Sequence, residues 1–217
     1  MHGVFVSGTD TNVGKSVVCA AMMHRLRPHT PVRYWKPVQT GVELDDDAET
    51  VRVLGECGNG EIVQSAVRLP RPLSPHLAAR LAGTRIDVTD LLSHMNASGD
   101  GVRWIIEGAG GVLVPLNERD LMVDLMVRIA VPVLVVARTA LGTINHTLLT
   151  LHALRARELD ILGAVMVGDP SPDNRAAIEE FGAVPVLGEM PRLDELTAGT
   201  LRKWALEVLD PEGRLLS

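Results

Sequence analysis

The sequence predicts an α/β protein built on a doubly wound, mostly parallel sheet with helices on both faces. Short runs of apolar and β-branched residues alternate along the chain with segments of helical periodicity. The apolar runs are continuous, which is typical of parallel strands covered on both faces. Alternating strands and helices imply right-handed crossovers, with a ligand site outside the carboxyl ends of the strands.

The predicted elements follow one another without a break that would mark a domain boundary. Strands are expected at residues 4–7, 32–36, 104–107, 133–137, 162–167 and 184–187. Helices are expected at 15–26, 48–55, 74–81, 88–95, 122–129, 144–157, 173–181 and 194–209. The Pro-rich stretch 69–75 is interpreted as an ordered connection before the helix near Ser74. Residues 1–217 are therefore expected to form a single domain.

Composition narrows the class of protein. The chain is 46% hydrophobic and 22% charged, which supplies a substantial core and excludes an intrinsically disordered protein. A formal net charge of -6 argues against nucleic-acid binding. No apolar run approaches the ~20 residues of a membrane span, and no signal peptide is recognised, so no membrane partner is expected. The distant Cys19 and Cys57 form no CxxC pair and fit a reducing, cytoplasmic location.

The most specific motif is GTDTNVGKS at residues 8–16, which follows the first predicted strand and opens a helix. Its glycines let backbone N–H groups and the helix N-terminus face a phosphate, as in P-loop NTPases. Lys15 is expected to reach the β- and γ-phosphates, and Ser16 to bind Mg²⁺. Five residues separate the glycines instead of four, which brings Thr11 and Asn12 towards the γ-phosphate. The alternative is a Gly-rich turn without a ligand.

Two predicted strands end in charged residues. Lys36 begins KPVQTG at 36–41 and is expected to stabilise charge on a transferred phosphoryl group, with a solvated turn lysine as the alternative. Glu107 begins EGAGG at 107–111 and is expected to hold the metal, with a plain turn as the alternative. Lys15 and Lys36 are two of only three lysines among 21 basic residues.

The acidic run at residues 45–47 opens the next predicted helix. Carboxylates at this position suit N-capping and the helix dipole. The functional interpretation is that Asp47 completes a Mg²⁺ shell. Further along the chain, His146 is interpreted as a capping or packing residue and not as a base.

Taken in order, these motifs resemble the dethiobiotin synthetase family. The matching runs are GTDTNVGKS, KPVQTG, Asp47-Ala48, PLSPHLAA at 72–79, EGAGG, LGTINHTLLT at 141–150 and LGEMP at 187–191. They extend from residue 8 to residue 191, and the long P-loop is the family's own form. The resemblance implies a P-loop-type parallel sheet and a homodimer with its sites at the interface.

The reaction that the resemblance implies is an ATP-dependent ligation in biotin biosynthesis. CO₂ forms a carbamate on one amine of 7,8-diaminononanoate, and the nucleotide γ-phosphoryl group is transferred to that carbamate. The neighbouring amine then displaces phosphate and closes the ureido ring of dethiobiotin.

The resemblance also implies a role for each matching position. Lys36 corresponds to the family's catalytic lysine and Lys15 supports the same phosphates, while Ser16, Asp47 and Glu107 hold Mg²⁺. The other implied nucleotide contacts are Asn12, Val13, Gly14, Val17, Gly108, Ala109, Gly110, Val167, Gly168, Pro191, Arg192 and Leu193. The implied substrate contacts are Thr11, Thr40, Gly142, Thr143 and Asn145, of which the last three receive the carboxylate tail across the dimer.

The chain departs from the family at the nucleotide base. Many members have Asn-Asp after the strand predicted at 162–167, and that asparagine reads adenine, whereas this chain has Val167-Gly168-Asp169. Arg192 also stands where tryptophan is common. Losing a bidentate base reader weakens adenine preference by about 1–3 kcal/mol. Relaxed base selectivity, with CTP or other nucleotides competing with ATP, is therefore the hypothesis.

Two alternatives remain from other functional classes. A partition or septum-placing ATPase shares the P-loop sheet but carries a lysine beside the first glycine of the loop, where this chain has Thr9. A nucleotide-binding protein without catalysis would bind nucleotide but release no phosphate in response to the diamine.

Overall fold

The computed structural model describes residues 2–95 and 101–216. Its strands are β1 His2–Gly8, β2 Val32–Trp35, β3 Val38–Thr40, β4 Ile62–Val63, β5 Val67–Leu69, β6 Arg103–Gly111, β7 Val133–Arg138, β8 Ile161–Val167 and β9 Val186–Met190. Seven of them form the central sheet in the order β4-β2-β6-β1-β7-β8-β9, and each neighbouring pair is parallel. Strands β3 and β5 form a separate parallel pair.

Helices cover both faces of the sheet. They are α1 Lys15–Leu26, α2 Asp47–Leu54, α3 Pro75–Leu81, α4 Val88–Met95, α5 Met122–Ile129, α6 Thr143–Arg155, α7 Pro172–Gly182 and α8 Ala198–Glu207, followed by a 3₁₀ turn at Arg214–Leu216. Helices α1, α2 and α8 pack on one face, and helices α3 to α7 belong to the core of the other. The predicted α/β fold class is confirmed.

The sheet separates two hydrophobic cores because successive side chains of each strand point to opposite faces. On β1, Val4 and Val6 belong to the core under α1, whereas Phe5 belongs to the core on the other face. On β6, Ile105 and Ile106 divide in the same way. Both faces are thus buried, which explains why the strands read as continuous apolar runs.

Several predicted boundaries were wrong. The strand predicted at 184–187 is observed at Val186–Met190, and the helix predicted at 194–209 begins only at Ala198, because the Thr197 side chain accepts a hydrogen bond from Thr200 N and caps it there. The glycines after Glu107, expected to leave the strand, continue β6 and pair with β1 as far as Gly8 and Gly111. The short strands β3, β4 and β5 were not predicted.

The strand order brings the predicted functional segments to one edge of the sheet. Strands β2, β6 and β1 are adjacent, so their carboxyl ends and the residues that follow them meet there. Lys36 follows β2, Glu107 lies midway along β6, and a loop joins β1 to α1. Over residues 2–95 and 101–216, no helix has the length and apolar character needed to cross a membrane.

Candidate functional site

The loop between β1 and α1 has the backbone geometry of an anion-binding turn. Asn12 and Gly14 adopt positive φ angles of 53° and 98°. The first helical hydrogen bond runs from Val18 N to Gly14 O at 2.9 Å, so the N–H groups of residues 15–17 precede the helical ladder. A side chain at Gly14 would be strained, and its Cβ would lie 3.2 Å from Val167 Cγ1. The turn therefore presents amides and a helix N-terminus at one point.

A cavity of about 700 Å³ opens beside this loop at the carboxyl edge of the sheet. It is lined by most of the residues that the sequence predicted as site residues. These are Thr11, Asn12, Gly14, Lys15, Ser16, Val17, Lys36, Thr40, Asp47, Glu107, Ala109 and Gly110. Residues that the sequence analysis did not assign to the site also line it, among them Asp45, Thr50 and Ser74.

Two carboxylates, an ammonium and a hydroxyl meet at the bottom of the cavity. Lys36 Nζ lies 2.6 Å from Glu107 Oε1 and 2.6 Å from Asp47 Oδ2. Ser16 Oγ lies 2.7 Å from Asp47 Oδ1 and 3.0 Å from Glu107 Oε1. Lys36 is only 4% exposed and Glu107 is fully buried. The alternative of a solvated turn lysine at position 36 is therefore wrong.

Burial and nearby opposite charges shift the pKa values of these groups in opposite directions. Burial lowers the pKa of Lys36, but Glu107 and Asp47 outweigh it, so its pKa is raised above the ordinary value. Burial raises the pKa of Asp47, yet Lys36 and Ser16 hold it below the usual range. Lys15 differs because burial dominates and, with Lys36 nearby, lowers its pKa despite the attraction of Glu107. The Lys36–Asp47 pair thus stays charged near neutral pH.

The acidic run divides its roles between capping and the site. Asp46 is the N-cap of α2 and accepts hydrogen bonds from Ala48 N at 3.1 Å and Glu49 N at 3.3 Å. Asp47, the first residue of the helix, contacts Ser16 and Lys36 instead. The capping interpretation is therefore confirmed for Asp46, and the role of Asp47 in a Mg²⁺ shell stays a prediction.

Asp10 and Thr11 of the P-loop are held in place by contacts that the sequence analysis missed. Arg138, at the end of β7, donates to Thr11 O at 2.9 Å and lies 3.5 Å from Asp10 Oδ2. Asp10 Oδ1 accepts a hydrogen bond from Thr11 N at 2.7 Å, and Asp10 O accepts one from Lys15 Nζ at 3.0 Å. The position of Arg138 at a strand end was the available signal.

Tyr34 is a further contact of the site that the sequence analysis missed. Its hydroxyl donates to Glu107 Oε2 at 2.8 Å, and the side chain is fully buried. Burial, followed by the charge of Glu107, raises the pKa of this phenol well above its usual value. Tyr34 stands two residues before Lys36, so both lie on one face of an extended chain, which was a signal for its position.

Some predicted site residues lie outside the cavity. Val13 and Gly108 do not line it. The predicted base contacts gather at the ends of β8 and β9, where Val167 pairs with Met190 and Gly168 N donates to Met190 O at 2.9 Å. Pro191, Arg192 and Leu193 follow β9 there.

The predicted contacts for the substrate tail also lie outside the cavity of this chain. Gly142 and Asn145 are exposed at the start of α6, whereas Thr143 is buried and its hydroxyl donates to Arg138 O. The predicted role of all three residues depends on a second subunit, and it stays a prediction.

The structure gives a reason for the missing amide at position 168. Gly168 has φ +135°, and a Cβ there would lie 2.3 Å from Thr139 Oγ1. Thr139 is itself buried, and its carbonyl accepts a hydrogen bond from Asn174 Nδ2 at 2.9 Å. With Thr139 in place, this backbone leaves no room for an asparagine at 168.

Comparison with known proteins identifies the family. A family model described as an AAA domain matches residues 2–200. The ATP-dependent dethiobiotin synthetase BioD of Paramagnetospirillum magneticum is 50% identical over 201 residues, which cover 93% of each chain. The chain belongs to the dethiobiotin synthetase family. The BioD of Agrobacterium fabrum is 47% identical over 91% of this chain and 90% of its own. Family membership confirms the predicted resemblance and reaction class, an ATP-dependent ligase of biotin biosynthesis.

Solved structures share the fold at low sequence identity. A ParA family ATPase from Chlorobium tepidum matches with a TM-score of 0.55 and 14% identity, covering 94% of this chain and 97% of its own. The septum site-determining protein MinD from Pyrococcus horikoshii matches with a TM-score of 0.53 and 15% identity, covering 94% of each chain. This similarity concerns the fold, and the predicted P-loop-type parallel sheet is confirmed.

Proposed function

We propose that this chain closes the ureido ring of dethiobiotin on 7,8-diaminononanoate, using CO₂ and a nucleoside triphosphate. The observation that carries the proposal is the convergence of Lys15, Lys36, Asp47 and Glu107 on one cavity beside the P-loop. A volume of about 700 Å³ suits a nucleotide-sized ligand. Phosphoryl transfer needs positioned cations and little covalent chemistry from the protein, and this residue set meets that need.

In the proposed reaction an uncharged amine of the substrate adds to CO₂ and loses a proton, which gives a carbamate. A carbamate oxygen attacks the γ-phosphorus while the bond to the β-phosphate oxygen breaks, so nucleoside diphosphate leaves. The second amine then attacks the carbamate carbon, loses a proton and expels phosphate. Lys36 and Lys15 stabilise the charge on the transferred group, and the amides of residues 12–17 hold the phosphates.

The Mg²⁺ of the nucleotide complex fits Ser16, Asp47 and Glu107, because the Ser16 hydroxyl lies 2.7 Å from an Asp47 oxygen and 3.0 Å from a Glu107 oxygen. Hard oxygen donors of this kind suit Mg²⁺, which also keeps water and phosphate ligands. Among the described residues, no group of three or more His, Cys, Asp and Glu side chains could hold a metal ion alone. A site completed by nucleotide oxygens agrees with that finding. When bound, Mg²⁺ supplies charge neutralisation on the phosphates.

The substrate is proposed to lie between Thr11 and Thr40, which line the same cavity as Lys36. Its carboxylate tail is proposed to bind at Gly142, Thr143 and Asn145 of a second subunit in a homodimer. Two exposed leucines flank this segment, Leu141 and Leu149. We expect the homodimer to cover these leucines.

For the nucleotide base we propose relaxed selectivity, with CTP and other nucleotides competing with ATP, because Gly168 offers no side chain beside Val167 and Arg192. Comparable kcat/KM values for the four nucleoside triphosphates are expected. A hundredfold preference for ATP would contradict this part of the proposal. We further propose that the reaction takes place in the cytoplasm, where Cys19 and Cys57, both free, stay reduced.

The proposal is tested by supplying the diamine, ¹³C-bicarbonate, Mg²⁺ and each nucleotide, and by looking for dethiobiotin with the mass label. Phosphate release should require the diamine. Nucleotide binding without diamine-dependent phosphate release would instead support a non-catalytic binding protein. Sedimentation of the native chain and of Leu149→Glu tests the dimer, and a monomeric native chain with full activity would contradict it.

A further inference from the structure

The two oxygens of the Glu107 carboxylate have different surroundings. Oε1 lies 2.6 Å from Lys36 Nζ and 3.0 Å from Ser16 Oγ, and both partners line the cavity. Oε2 accepts a hydrogen bond of 2.8 Å from Tyr34 OH, whose residue does not belong to the cavity lining. One carboxylate oxygen of Glu107 therefore faces the site, and the other faces the interior of the protein.

The sheet register fixes this contact. Tyr34 on β2 pairs with Ile105 on β6, and Glu107 follows Ile105 by two residues on the same face of the strand. Tyr34 and Ile105 both belong to the core beneath α1, and both are fully buried. Packing on all sides holds the phenol ring, so its hydroxyl meets Oε2 from a fixed direction.

A fixed donor on one oxygen determines how the carboxylate faces the cavity. Residues that hydrogen-bond a ligating carboxylate orient it, and their loss commonly weakens metal binding about 10–100-fold. Without the phenol, Oε2 would be a buried acceptor without this partner, and the carboxylate would gain by rotating towards Lys36 or Ser16. If Tyr34 contributed only to stability, loss of its hydroxyl would lower the free energy of unfolding but leave the metal affinity of the folded protein unchanged.

We propose that Tyr34 is a positioning residue of this enzyme, whose hydroxyl holds the Glu107 carboxylate in the orientation that binds the Mg²⁺ of the nucleotide complex. The inference rests on the proposed function, because it assumes that Glu107 is a ligand of this ion.

The test compares Tyr34→Phe with the native chain and with Ile105→Val, a truncation of the paired neighbour on the same face. Mg²⁺ is titrated calorimetrically into each protein at saturating non-hydrolysable ATP analogue, after circular dichroism has confirmed folding. We expect Tyr34→Phe to weaken Mg²⁺ binding about 10–100-fold, with metal-free nucleotide affinity unchanged and Ile105→Val close to native. Equal Mg²⁺ affinity in folded Tyr34→Phe and the native chain would overturn the role of Tyr34. No Mg²⁺-dependent nucleotide binding in the native chain would overturn the proposed function as well.

A second measurement does not depend on the folding of the variant. Tyr34 is the only tyrosine of the chain, so incorporating 3-fluorotyrosine labels this position alone. We expect its ¹⁹F resonance to move when Mg²⁺ is added to the nucleotide-loaded protein, and to move much less with nucleotide alone. A resonance that responds identically with and without Mg²⁺ would overturn the inference.

Discussion

The substitution Lys36→Met tests what the Lys36 ammonium contributes to stability and to turnover. Its Nζ lies 2.6 Å from both Glu107 and Asp47, and the residue is 4% exposed. Lys36→Met keeps most of the side-chain volume but leaves the buried Glu107 without its cation, and breaking a buried ion pair costs about 3–5 kcal/mol. Each kcal/mol shifts Tm by about 2–4 °C in a protein of this size, so we expect Tm to fall by roughly 6–20 °C.

Turnover of Lys36→Met is expected to fall at least about 100-fold at a temperature where the variant is fully folded, because the ammonium no longer stabilises the transferred phosphoryl group. Nucleotide binding should persist, since the amides of the P-loop are unchanged. Calorimetric melting, equilibrium binding and single-turnover phosphate release measure the three effects. Lys203→Met, at an exposed position on α8, is the control. Turnover of folded Lys36→Met within tenfold of native would refute the assigned role.

Three further predictions concern the surroundings of the site. Asp46→Ala removes the N-cap of α2 and should cost about 1 kcal/mol in urea unfolding, and because it loosens Asp47 it should also raise the KM for Mg²⁺–nucleotide. An unchanged KM would show that the Asp46 cap has no influence on nucleotide binding at the site. Gly168→Asn should destabilise the protein by about 1–3 kcal/mol, and Thr139→Ala should partly relieve this cost in the double variant. Purely additive unfolding energies would contradict the steric argument. Burial raises the pKa of Cys57 to about 11, so its alkylation rate should keep rising up to that pH, and a plateau near pH 9 would contradict it.

The sequence predicted long elements well and short ones poorly. Helix α1 has the predicted bounds because its start is fixed by the P-loop. Strands β4 and β5 contain two and three residues, too few for a hydrophobic period to be recognised. Their formation depends on pairing with β2 and β3, which is a tertiary property.

The same distinction holds within the site. Lys36 and Glu107 were predictable because charged residues at adjacent strand ends meet at one edge of a parallel sheet. The contact of Tyr34 with Glu107 depends on the register between β2 and β6, which a single sequence does not reveal. The steric conflict between Thr139 and position 168 likewise joins residues that follow different strands.

The charges lining the cavity explain why nucleotide and metal should bind together. The described lining contains two ammonium groups, Lys15 and Lys36, against the carboxylates of Asp45, Asp47 and Glu107. Lys36 already lies against two of these carboxylates, so its charge is not fully available to a phosphate. The positive end of α1 contributes only about half a charge. A triphosphate entering alone would therefore meet an excess of negative charge, and the Mg²⁺ proposed to be held by Asp47 and Glu107 would offset that repulsion.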